Sequence, residues 1–208
     1  MRPRGLGQHT RRGKASAGLT RGGLLARSLT VVGALAGRAV GAAELGATTA
    51  PHPSPARDRQ ILSFGLRIER LQAAFYAEAL RAGRLSGESH QFAQVVGREE
   101  QAHVRYLAAA LGSSAHDGSG FRFGDATTDP VKFIATAVSL EETGLAVYNG
   151  QGVNLTPAAL ATAARLVSVE ARHAAWARAL AGELPAPVAV DVPITVAQAS
   201  RVLAPFLA

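Results

Sequence analysis

Between residues 56 and 182 the apolar positions recur in steps of three and four, the period of helices that each bury one face. Four such stretches can be marked out. The first, 56–82, follows Ser54-Pro55, an N-cap and first-turn pair, and runs its inner stripe through Leu62, Leu66, Glu69, Ala73, Tyr76 and Leu80. Gly83 and Ser86 bound a tight turn into the second, 87–111, closed by Gly112, with the stripe Ala93, Val96, Glu100, His103, Leu107 and Ala110. The third, 130–150, starts at Asp129-Pro130 and places Ile134, Val138, Glu141, Leu145 and Tyr148 inward. The fourth, 157–181, starts after Thr156-Pro157 and places Ala163, Leu166, Glu170, His173, Ala177 and Leu180 inward.

The connections set the topology. The short turn at 83–86 makes the first two helices antiparallel neighbours, and the loop ending at Pro157 pairs the last two in the same way. Residues 112–129 are rich in Gly, Ser and Asp and can span about 55 Å when extended, enough to run the length of a bundle of about 35 to 40 Å. The expected fold is therefore all-α, a four-helix bundle over 56–182 of two antiparallel hairpins joined by a long crossover, with Phe121 and Phe123 pinning the crossover. The tail, 183–208, carries Pro185, Pro187, Pro193 and Pro205 and a short helix expected at 195–203. It is expected to pack across the bundle or a partner, and it carries no visible chemistry.

The polar residues inside these stripes carry the chemistry. Glu100-x-x-His103 and Glu170-x-x-His173 each aim a carboxylate and an imidazole at one point, because positions three apart share a helical face. Glu69 and Glu141 occupy core positions on the other two helices, and each is followed seven residues later by a tyrosine, Tyr76 or Tyr148. Glu69 lies as far before the end of its helix as Glu100 lies after the start of the next, so the two meet at one level, about 20 Å from the turn. The chain order Glu, Glu-x-x-His, Glu, Glu-x-x-His is the ligand order of carboxylate-bridged two-metal sites in helical bundles.

On these repeated motifs the sequence resembles the ferritin-like superfamily, specifically the ferritin-like domains related to plant desiccation proteins, over about residues 55–182. The resemblance implies a di-metal site, with Glu69 and Glu141 as terminal ligands and Glu100 and Glu170 as bridging ones. It also implies that Tyr76 and Tyr148 bond to ligand carboxylates, as tyrosines do in rubrerythrin-like sites; ordinary core tyrosines with satisfied hydroxyls are the alternative. Glu99, four residues before His103, and Glu142 compete with their neighbours and are expected at the surface or behind the ligands.

Oxygen and nitrogen donors without thiolates suit two iron ions, with manganese or zinc as other occupants. Four carboxylates balance the charge of two divalent cations; without metal they would repel one another or take up protons.

Composition narrows the field. The chain has no Cys, which excludes disulfides and thiolate metal sites, and its only Met is Met1, which leaves no methionine to ligate a haem. The net charge of +7 comes from the N-terminus: eight of the 22 Lys and Arg, and no acid, precede residue 44, leaving 14 bases against 15 acids. No nucleic-acid partner is expected from it. Residues 1–43, a basic opening followed by the apolar run Leu29–Ala36 and the small residues Gly41-Ala42-Ala43, read as an export signal. Two incomplete twin-arginine patterns lie at Thr10-Arg11-Arg12 and Thr20-Arg21-Gly22-Gly23. Residues 44–55, with three prolines, read as a linker. The expected location is the periplasm, envelope or exterior, with a disordered leader on a cytoplasmic protein as the alternative.

Two functions are compatible with this reading. One is a di-iron oxidoreductase of ferroxidase or peroxidase type, with O2 or H2O2 as oxidant and an external electron donor. The other is a non-enzymatic stress or desiccation-related envelope protein whose metal is structural or sequestered. A homodimer stays open in either.

Overall fold

The structure is a computed structural model and describes residues 52–115 and 120–208. The export signal expected over 1–43 and the linker residues before 52 lie outside the described residues. Five α-helices are present among those described: α1 Pro55–Ala82, α2 Gly87–Leu111, α3 Pro130–Gln151, α4 Pro157–Leu180 and α5 Val196–Leu203. The only β feature among them is an isolated antiparallel bridge between Phe121 and Leu207. No described helix is long and apolar enough to cross a membrane.

Local chemistry sets the helix ends. Ser54 caps α1 by accepting from the Arg57 amide at 3.2 Å, and Gly83 ends it with φ 67°, a conformation that costs glycine little. Asp129 caps α3 by accepting from the amides of Val131 and Lys132 at 2.8 and 3.1 Å. Thr156 precedes α4 without capping it by its side chain. Instead its amide and hydroxyl both donate to Asp58 in the first turn of α1, at 2.9 and 2.6 Å, clasping the two hairpins together.

Helix α1 packs on α2 and α3 on α4, while contacts of α1 with α3 and of α2 with α4 close a four-helix bundle. Its buried faces are wider than single stripes, because each helix touches more than one neighbour. On α1 the face includes Ile68, Leu71, Gln72 and Phe75, whereas Ala73 and Leu80 are half-buried. On α3 Phe133 and Ala137, one residue round the helix from the half-buried Ile134 and Val138, are fully buried together with Leu140. Ala110 is exposed and Leu111 is buried in its stead.

The apolar core falls into two clusters. One gathers Leu62, Leu66, Leu107, Leu111, Leu155 and Leu166; the other gathers Ile68, Phe75, Phe92, Val96, Phe133 and Leu140. On α2 and α4 the inward glutamate separates residues of one cluster from residues of the other, while on α1 and α3 Ile68 and Val147 of the second cluster reach past it, so apolar residues flank the polar layer on both sides.

The crossover contributes Phe123 to the core, with ring centroids 5.4 Å from Phe75 and 6.0 Å from Phe206. Helix α5, opened by a Thr195–Gln198 capping box, buries Ala199 and Leu203 in the second cluster. The tail therefore packs on its own bundle, tied to α3 by the Ile194 amide donating to the Ala146 carbonyl at 3.1 Å.

Candidate metal centre

The structure brings Glu69, Glu100, His103, Glu141, Glu170 and His173 together in the middle of the bundle, each at most 7% exposed. Nδ1 of His103 lies 3.1 Å from Glu69 Oε2, 3.2 Å from Glu100 Oε2 and 3.0 Å from Glu170 Oε1. Nδ1 of His173 lies 2.8 Å from Glu100 Oε1 and 3.4 Å from Glu141 Oε2. The imidazole rings are 5.8 Å apart and inclined by only 27°.

Two groups of donor atoms result, each contained within 4.8 Å: Glu69, Glu100, His103 and Glu170, and Glu100, Glu141, Glu170 and His173. Glu100 and Glu170 belong to both. Each group, one imidazole among carboxylate oxygens, could hold a metal ion.

The tyrosines cross between the hairpins. Tyr76 on α1 donates to Glu141 Oε1 on α3 at 2.5 Å, and Tyr148 on α3 donates to Glu69 Oε1 on α1 at 2.5 Å. Each hydroxyl takes one oxygen of a glutamate and leaves the other facing the cluster. Gly97 on α2 admits Tyr76, since a Cβ there would fall 2.9 Å from the Tyr76 Cβ.

Glu99 takes a place set by the packing of α2 on α4. Its carboxylate, on a side chain 47% exposed, lies 2.6 Å from Nε2 of His173, not beside His103. Glu142 pairs with Arg178 at 2.6 Å. Trp176 packs edge-on against Phe92 and donates to Glu88 at 2.9 Å. A residue absent from the expected site, Gln72, is fully buried one turn beyond Glu69. Its spacing from Glu69, the same as in Glu-x-x-His, was the available signal.

The electrostatics call for positive charge. Burial, then the charges of neighbouring glutamates, holds the carboxyls of Glu100 and Glu170 well above their usual range. For Glu69 burial acts the same way but is outweighed by hydrogen bonds from Glu100, His103 and Tyr148, so its carboxyl is lowered. Burial opposes charge on the imidazoles too, yet the adjoining carboxylates prevail and push His103 up to about 12 and His173 up to about 9. Burial and the glutamates beside them raise Tyr76 and Tyr148 well above the usual phenol range.

The raised carboxyls and imidazoles mark a cluster that favours positive charge, as protons or as cations. Five buried donor or acceptor atoms, Glu100 Oε1, Glu141 Oε2, both oxygens of Glu170 and Nδ1 of His173, have no hydrogen-bond partner. Nδ1 of His173 and Glu100 Oε1 are close but out of line for a hydrogen bond. Buried polar atoms are normally paired, and here the unpaired ones converge; the donor set fits metal ions.

No curated protein matches the chain. The family model of the ferritin-like domain matches residues 57–183, a span that includes the whole of this cluster and most of the described helices. The chain belongs to the ferritin-like domain family.

Proposed function

We propose that the protein is a di-metal oxidoreductase, with two iron ions as the occupants and O2 or H2O2 as the oxidant, of the ferroxidase or peroxidase type. The observation that carries this reading is the convergence of six buried ligands whose free atoms face one another. Oxygen and nitrogen donors suit iron or manganese, with zinc as an inert occupant. Bound there, an iron pair would supply two-electron reduction of the oxidant, with further Fe(II) as the electron source in a ferroxidase and an external donor in a peroxidase.

The residues divide the work. Glu69 and His103 would hold one ion, Glu141 and His173 the other, and Glu100 and Glu170, which belong to both donor groups, would serve both. Tyr148 and Tyr76 fix the carboxylates of Glu69 and Glu141, which limits each to one inward oxygen. Apolar layers at both ends exclude bulk water from the site and strengthen every charge interaction within it.

The near-complete burial of all six ligands favours a second reading, a metal held for structure or sequestration in an envelope stress protein. The export pattern of residues 1–43 supports a place outside the cytoplasm in either case.

The deciding experiment loads the full chain anaerobically with Fe(II) and mixes it with O2 or H2O2 in stopped flow. The redox reading expects oxidation faster than that of free Fe(II), lost in Glu100→Ala. Oxidation no faster than free iron, with melting temperature falling when metal is removed, would establish the second reading.

A further inference from the structure

Gln72 stands one helical turn beyond Glu69, at the spacing that separates glutamate from histidine in the two Glu-x-x-His motifs. Its side chain is fully buried, and neither its Oε1 nor its Nε2 has a hydrogen-bond partner. Across from it, α3 carries glycine. A Cβ at Gly144 would meet Glu170 Oε2 at 3.2 Å, Gln72 Nε2 at 3.5 Å and Gln72 Oε1 at 3.8 Å. Glycine at 144 therefore lets the amide and a ligand carboxylate crowd over one patch of backbone. Neither oxygen of that carboxylate makes an aligned hydrogen bond; Oε1 lies 3.0 Å from Nδ1 of His103, and Oε2, the oxygen facing Gly144, has no partner.

A buried amide with neither end paired is less favourable than an apolar side chain of the same size. The fold thus keeps Gln72 for a partner that arrives from outside, and its place beside Glu170 puts that partner at the metal cluster. A bare cation would use Oε1 alone and leave the Nε2 donor unmet. A small ligand with an acceptor oxygen uses the donor, and one that also carries an O–H, as hydrogen peroxide does, uses Oε1 as well. The amide is also neutral, so it leaves the balance of four carboxylates against two divalent cations undisturbed.

We propose that the Gln72 amide, packed over Gly144 beside Glu170, is the docking group for a small O–O ligand of this centre, dioxygen or hydrogen peroxide, to which Nε2 donates a hydrogen bond. The inference rests on the redox reading above and names the residue that would touch the oxidant.

The test uses the full chain, wild type and Gln72→Met, loaded anaerobically with Fe(II) and titrated with nitric oxide, a diatomic probe followed by its nitrosyl absorption. The expected result is two Fe(II) per chain in both proteins and nitric oxide affinity weaker by at least threefold in the variant. One lost hydrogen bond corresponds to up to about tenfold. The metal-free variant is also expected to melt no lower than wild type. Affinity changed by less than threefold overturns the proposal. So does loss of bound iron, which would make Gln72 a metal ligand, and so does a lower melting temperature, which would mean the amide already serves the fold. If Gln72→Met does not fold, Gln72→Asn, which withdraws the amide by one methylene, carries the same comparison. A wild-type protein that binds neither Fe(II) nor nitric oxide defeats the redox reading itself, a result distinct from all of these.

Discussion

Tyr76 reaches from α1 across the bundle to hydrogen-bond Glu141 on α3 at 2.5 Å, and the bond runs between hairpins and not within one. Tyr148 returns the contact to Glu69. The two hairpins are thereby locked through carboxylates of the candidate metal centre, so fold and site share the same bonds.

Replacing either tyrosine by phenylalanine strands a buried carboxylate oxygen. In Tyr76→Phe or Tyr148→Phe the lost bond to a charged group is expected to cost about 1.5–3 kcal/mol of stability and to weaken metal binding by about 10- to 100-fold. Thermal melts and a competitive Zn(II) titration measure both. Unchanged metal affinity in both variants would show that the hydroxyls do not orient the ligands.

Glu99 makes the two halves unequal. It buttresses His173 from the solvent side at 2.6 Å, so Glu99→Gln is expected to weaken one of two metal equivalents by about tenfold and spare the other. Calorimetric titration resolves the two steps. Wild-type behaviour in both steps, or equal weakening, would contradict the asymmetry.

The metal-free protein is expected to lose stability as pH rises from 6.5 to about 9. His173 is raised from 6.5 to about 9 in the fold and His103 to about 12, so the folded state holds more protons than the unfolded one throughout that window. Stability then falls with increasing pH. Glu100 and Glu170, also raised, act in the same direction from lower pH, and Glu69, lowered, acts against them there. Metal displaces these protons, so binding should release protons and tighten with pH. A metal-free melting temperature higher at pH 9 than at pH 6.5 would refute the assignment.

Gly97 is required by the close approach of α1 and α2 at Tyr76. In Gly97→Ala the new methyl would meet a Cβ that cannot swing aside, so the helices must part at a cost of about 1–3 kcal/mol. Chemical denaturation reads the loss, and a change under about 0.5 kcal/mol would show that the helices part without strain.

Much of this was legible in the sequence because it is written locally. Helix limits follow from Ser54-Pro55, Gly83 and Asp129-Pro130, and the pairing of Glu100 with His103 and of Glu170 with His173 follows from helical period alone. What was not legible depends on how helices rotate against one another. Glu99 sits on the same helix as His103 but faces His173, because α2 packs on α4. The buried faces of α1 and α3 include Phe75 and Phe133, which a single stripe omits since each helix has more than one neighbour. Gln72 shares the three-residue spacing of the Glu-x-x-His pairs, but nothing local shows that it is buried. The clasp of Asp58 on Thr156 joins residues far apart in sequence, and no local pattern announces it.

Six side chains from four helices are proposed to hold two metal ions at shared carboxylates. Elemental analysis of the full chain after anaerobic Fe(II) loading and desalting tests it most directly, with Glu100→Ala alongside. Two iron ions per wild-type chain are expected, with a loss reaching both positions in the variant, because Glu100 belongs to both donor groups. Wild-type protein that retains no metal, or a Glu100→Ala variant that retains as much as wild type, would contradict it.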